Sequence, residues 1–136
     1  MIGLVIVAHG GLARELLAAT EHVVGPQFGA VAVSTGPDDD LSKKQAEIND
    51  AVAAADRGQG VVLVTDMFGG TPCNLAIGCL GACRGPVEVI YGANLPMLVK
   101  LAKSRTRPMD EAVAAALEAG RKYIDAAGRM LQAKAV

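Results

Sequence analysis

The sequence predicts an α/β fold: one three-layer domain spanning residues 1–136, with a mostly parallel sheet of four main strands between helices on both faces. Three observations predict it. Short apolar runs rich in β-branched residues alternate with segments of helical periodicity along the whole chain. Glycine, proline and aspartate clusters punctuate each change of pattern. At 136 residues and 51% hydrophobic composition, the chain can bury a full core but not two.

Ile2–Val7 (IGLVIV) is nearly continuous apolar sequence, as expected of a strand covered on both faces. It could be mistaken for a secretory leader, but it has no basic start and runs directly into His9-Gly10-Gly11. Leu12, Leu16, Ala19 and Val23 then recur at helical spacing until Gly25-Pro26. Val31–Ser34 forms a second strand, and the turn Gly36-Pro37-Asp38-Asp39-Asp40 leads into a helix carrying Leu41, Ile48, Val52 and Ala55 on one face. Val61–Thr65 (VVLVT) is a third strand. After Asp66-Met67-Phe68-Gly69-Gly70, Thr71 reads as a helix cap and Pro72 as the first helical residue, with an end near Gly81 or Gly85. Val87–Tyr91 is a fourth strand, Asn94 caps the following helix, and Pro96 is tolerated in its first turn. Beyond Arg107-Pro108, a final helix places Val113, Leu117, Ile124 and Leu131 on one stripe. A short extra edge strand is compatible with the pattern.

Composition excludes several functions. Thirteen basic residues against fourteen acidic ones, with no basic block, argue against nucleic acid or an anionic membrane surface as partner. No apolar run approaches the roughly 20 residues that span a bilayer, so direct membrane insertion is not expected. With no tryptophan and 3% aromatics, there is little on which a base or sugar could stack. Cys73, Cys79 and Cys83 match no zinc spacing and read as reduced structural thiols. His22 sits within a helical pattern and reads as a surface residue.

The chemistry concentrates at two strand ends. In open parallel sheets ligands bind beyond the carboxyl ends of the strands, where strand order reverses. His9 and Asp66 both stand at such ends. If their strands are neighbours, about 4.8 Å apart, the imidazole and carboxylate can hydrogen-bond. A carboxylate holding one ring N–H leaves the other nitrogen as a nucleophile and stabilises the charge that develops on the ring. Histidine, with a reference pKa near 6.5, can both accept and release a phosphoryl group at neutral pH. Gly10-Gly11 and Gly69-Gly70-Thr71 each lead into a helix start, where free backbone amides favour an anion. Neither is a Walker loop, and no G-x-G-x-x-G occurs, so nucleotide binding has no support.

These residues fall into three motifs, Val7-Ala8-His9-Gly10, Thr65 to Asn74 (TDMFGGTPCN) and Gly92 to Leu98 (GANLPML). Together they resemble, in order and spacing, the enzyme IIA domains of the mannose phosphotransferase family. The resemblance implies that His9 is phosphorylated by the phosphocarrier HPr and hands the group to a IIB component, with Asp66 hydrogen-bonding His9. It further implies that Thr71 and the preceding turn contact phosphate, and that Phe68, Asn94, Leu95 and Pro96 border the site. It implies a cytoplasmic homodimer with no metal or organic cofactor. Many members continue through a linker into a IIB domain; this sequence stops after one domain, so the acceptor is expected to be a separate IIB chain or a regulatory target. Two other readings stay open: the phosphotransfer subunit of a dihydroxyacetone kinase, and a non-catalytic module that binds partners according to the phosphorylation state of His9.

Overall fold

The computed structural model describes residues 1–81, 83 and 85–135. Its elements run β1 (Gly3–His9), α1 (Leu12–Val24), β2 (Ala30–Thr35), α2 (Leu41–Ala55), β3 (Val61–Thr65), α3 (Thr71–Ile77), β4 (Val87–Ile90), α4 (Leu95–Lys103), α5 (Met109–Lys122) and α6 (Ala127–Ala135). All pairings are parallel, in the order β2-β1-β3-β4. The chain steps from β1 to β2 on one side and returns to place β3 on the other, so strand order reverses between β1 and β3.

Alternation along the central strands builds two cores. Leu4, Ile6 and Ala8 of β1, with Val62 and Val64 of β3, pack against Ala13, Leu98, Leu101, Ala112 and Ala116 of α1, α4 and α5. Val5, Val7, Val61 and Leu63 point the other way, onto Ile48, Val52, Leu75 and Ala76 of α2 and α3. Side chains such as Leu63 and Ile48 are fully buried, and each contributes about 2 kcal/mol by leaving water. Gly3 is required by this packing, because a Cβ there would stand 2.4 Å from the Ala55 carbonyl oxygen. At the lower end of the sheet the buried Arg105 guanidinium donates to the Ile2 and Phe28 carbonyls, both at 2.7 Å, tying β1 to the α1–β2 loop.

The predicted four strands are present, with β1 and β2 running a residue or two longer than their apolar cores. The helices differ more. On α1 the buried residues are Ala13 and Thr20, while Leu12 and Val23 are exposed. Alanine lets the helix lie close to the sheet, and the larger side chains move to its margins. Leu41 is likewise exposed at the start of α2, whose cap is Asp40, accepting from the Ser42 and Lys43 amides. These two bonds, with one from the Ser42 hydroxyl, hold the Asp40 carboxyl below the ordinary range. Helix α3 stops at Ile77, earlier than Gly81; its cap is Gly70, and Thr71 is its first helical residue. The single final helix is two: α5 ends at Lys122, and Ile124 (72% exposed) and Leu131 (62% exposed) leave the core. Among the described residues, no helix is long and apolar enough to cross a membrane.

Candidate functional site

His9 closes β1, and Asp66 follows directly on β3, its neighbour across the reversal. The residues are 57 apart in sequence, yet His9 Nδ1 lies 2.7 Å from Asp66 Oδ2, and the His9 backbone N–H donates to the same oxygen at 3.0 Å. Asp66 Oδ1 accepts from the Met67 amide at 3.0 Å. Partial burial disfavours the Asp66 charge, but the bonds from the His9 amide and ring outweigh it and hold the carboxyl below its ordinary pKa. An ionised carboxylate only accepts hydrogen bonds, so the Nδ1 proton stays on the ring and Nε2 carries the free lone pair. The carboxylate side chain is 11% exposed and the imidazole 51% exposed, so the base is sheltered and the nucleophile open to a partner.

The two glycine turns frame the ring differently. Gly10 (φ 55°) and Gly69 (φ 86°) occupy left-handed backbone that other residues rarely adopt. Gly70 has an ordinary φ of −88° but lies against the imidazole: a Cβ there would be 2.9 Å from His9 Cε1 and 3.4 Å from Nε2. Gly70→Ala is therefore expected to push the ring off Asp66 without straining the backbone. Phosphoryl transfer should slow about tenfold or more, while the thermal midpoint stays within a few degrees. Single-turnover labelling and a melting curve check this, and an alanine variant with unchanged transfer would remove the contact from the account.

The other predicted site residues divide. Phe68 is exposed at the rim and pairs with Tyr91, ring centroids 4.9 Å apart. Asn94 has a scaffolding role: its side chain accepts from the Met97 amide at 3.0 Å and donates to the Gly120 carbonyl at 2.9 Å, capping α4 and bracing α5. Leu95 and Pro96 line a groove with Val23, Val99 and Lys100 on the outer helical face. Thr71 is exposed in the first turn of α3, and Gly11 precedes α1. The Ala93 amide bonds the Thr65 carbonyl at 3.0 Å and draws the β4 end to the same rim. Two rim residues were not singled out from sequence, Ser34 and Thr35 at the end of β2. The strand-end rule that selected His9 and Asp66 applies to them equally.

The cysteines behave as packing residues. Cys73 and Cys79 are buried, and all three thiols are free. The Cys79 thiol donates to Asn49 Oδ1 at 3.0 Å, and burial together with Cys83 pushes its pKa up to about 11. Among the described residues, no three His, Cys, Asp or Glu side chains stand together as a metal site.

Comparison with known proteins identifies the family. The family described as the PTS system fructose IIA component (EIIA-man) matches residues 3–118. The mannose-specific EIIAB component of the Escherichia coli (strain K12) PTS is 34% identical over 127 residues, covering 92% of this chain and 39% of the relative's length. Among solved structures, the mannose/sorbose-specific IIA subunit from Enterococcus faecalis superposes with a TM-score of 0.81 at 32% identity, covering 92% of this chain and 93% of the other. An EIIA component from Streptococcus agalactiae shares the fold, with a TM-score of 0.85 at 24% identity over 95% of this chain and 99% of that one. With residues 3–118 matched by the family model, the chain belongs to the mannose-type IIA family of the sugar phosphotransferase system.

Proposed function

We propose that Nε2 of His9 accepts a phosphoryl group from phosphorylated HPr and passes it on. The observation that carries this reading is the 2.7 Å contact between His9 Nδ1 and Asp66, which leaves the opposite ring nitrogen open to solvent. In the forward step the Nε2 lone pair forms a bond to phosphorus as the bond between phosphorus and the donor breaks. Nδ1 keeps its proton, and Asp66 offsets the positive charge on the ring. Gly11, Gly69, Gly70 and Thr71 supply backbone amides and a hydroxyl to the phosphoryl oxygens, while Gly10, predicted with them, shapes the turn because its own amide is held by the Thr35 carbonyl. The downstream acceptor is a IIB component or a target that reads the phosphorylated state. The protein acts in the cytoplasm, where HPr is found, and the step needs no cofactor.

A homodimer belongs to this reading. Tyr123, Ile124, Met130 and Leu131 are exposed apolar side chains within nine residues of one another in the sequence, and Ile124 lines a groove along β4. A second copy would cover this apolar surface.

Incubation with phosphoenolpyruvate, enzyme I and HPr is expected to place one acid-labile, base-stable phosphate on each chain. Adding a IIB component should then discharge it. Failure to label with an HPr preparation that phosphorylates another IIA protein would refute the reading.

A further inference from the structure

The His9 turn is pinned on the side away from Asp66 by the end of β2. The Ser34 hydroxyl donates to the Gly10 carbonyl oxygen. The Gly10 amide donates to the Thr35 carbonyl at 2.8 Å, and the buried Thr35 hydroxyl to the Ala8 carbonyl at 3.2 Å. Because the sheet order is β2-β1-β3-β4, these bonds lie on one side of β1, and Asp66 and Gly70 lie on the other.

A trans peptide is planar, so its carbonyl and the following N–H point in opposite directions, and the chain contains no cis peptide bond. With the Gly10 carbonyl turned toward Ser34, the Gly11 N–H is turned away from Ser34, to the side of β1 opposite β2. Among the described residues, nothing accepts a hydrogen bond from this N–H. The peptide joins two glycines, and Gly10 has φ 55° with open space around it. Such a unit can flip at small steric cost. Flipped, it would present a carbonyl oxygen to an incoming phosphoryl group and repel it.

We propose that Ser34 is a positioning residue for phosphoryl transfer: by holding the Gly10 carbonyl, its hydroxyl keeps the Gly11 amide aimed at the phosphoryl oxygens on His9. This rests on the reading of His9 as acceptor. Ser34 itself is exposed at the rim, at the end of a strand where β-branched residues fit. Threonine and valine at this position therefore have the same shape and differ only in the hydroxyl.

The test compares Ser34→Val with Ser34→Thr in single-turnover transfer from phosphorylated HPr, with the Gly11 amide followed by NMR on phosphorylation. Ser34→Val is expected to lower the maximal rate about tenfold, the effect of losing one hydrogen bond, with the half-saturating HPr concentration unchanged. The downfield shift of the Gly11 amide should shrink, and Ser34→Thr should recover both the rate and the shift. A valine variant with wild-type rate and shift, or two variants equally slow, would overturn the role of Ser34. If Ser34→Val does not fold, the wild-type spectrum decides: a Gly11 amide that does not move on phosphorylation of His9 is contradictory, and one that moves downfield is supporting. A wild-type chain that takes no phosphate on His9 fails differently, since it refutes the acceptor reading and this inference with it.

Discussion

His9→Ala is expected to yield a folded protein that takes no phosphate from HPr, a loss on the order of 10⁴-fold or more, as when other covalent catalysts lose their nucleophile. The fold should persist because the imidazole is half exposed and belongs to neither core. The alanine amide still donates to Asp66 Oδ2, so the carboxylate keeps one of its two bonds to residue 9. What it loses is the ring proton, and this has a sign in pH. Asp66 has a folded pKa below its unfolded value. Its stabilising contribution is therefore present above the unfolded pKa, near 3.9, and is lost as pH falls through the folded pKa. His9→Ala should shrink that contribution, so the variant is slightly less stable than wild type near neutrality, and the difference fades as pH falls through the folded pKa. Labelling with radioactive phosphate and urea melts across that pH range, followed by circular dichroism, check both halves. Label retained at wild-type level would assign the acceptor elsewhere.

Asp66→Asn should be the second largest loss, for a reason specific to the bonds around this carboxylate. Oδ2 accepts from the His9 amide and the His9 ring, and Oδ1 accepts from the Met67 amide. An asparagine has one oxygen for three donors. With its oxygen toward His9, its NH2 meets the Met67 N–H, donor against donor. Turned over, it presents NH2 to Nδ1, and the ring answers by moving its proton to Nε2, which removes the nucleophile. Either orientation also withdraws the negative charge that balances the phosphorylated ring. By comparison with the carboxylate-to-amide change in hydrolase triads, transfer should fall by about 10² to 10⁴, with the fold retained. Rapid-quench labelling reads this directly, and a rate within twofold of wild type would remove Asp66 from the mechanism.

How much of this was legible in the sequence depends on the kind of signal. The strands were legible because Ile2–Val7, Val61–Thr65 and Val87–Tyr91 are dense in β-branched residues, which a sheet covered on both faces demands, although the fourth ends one residue earlier, at Ile90. The pairing of His9 with Asp66 followed once β1 and β3 proved to be neighbours. Helix faces were less legible because α1 and α5 are rich in alanine, so several stripes are apolar at once. The core takes Ala13, Ala112 and Ala116, where close approach matters more than side-chain size. The break at Tyr123 left no glycine or proline signal of its own, and seven-residue spacing carried the stripe through to Leu131. Ser34 and Arg105 act through backbone carbonyls, to which periodicity and motif spacing are blind.

The central claim is that Asp66 holds Nδ1 of His9 so that Nε2 reacts. Phosphorus–proton correlation NMR on the phosphorylated protein distinguishes the two nitrogens by which ring protons couple to phosphorus. Phosphate is expected on Nε2, with coupling to both ring C–H protons and an Nδ1 proton still hydrogen-bonded to the carboxylate. Phosphate on Nδ1 would contradict it, because that nitrogen could then not be the one bound to Asp66.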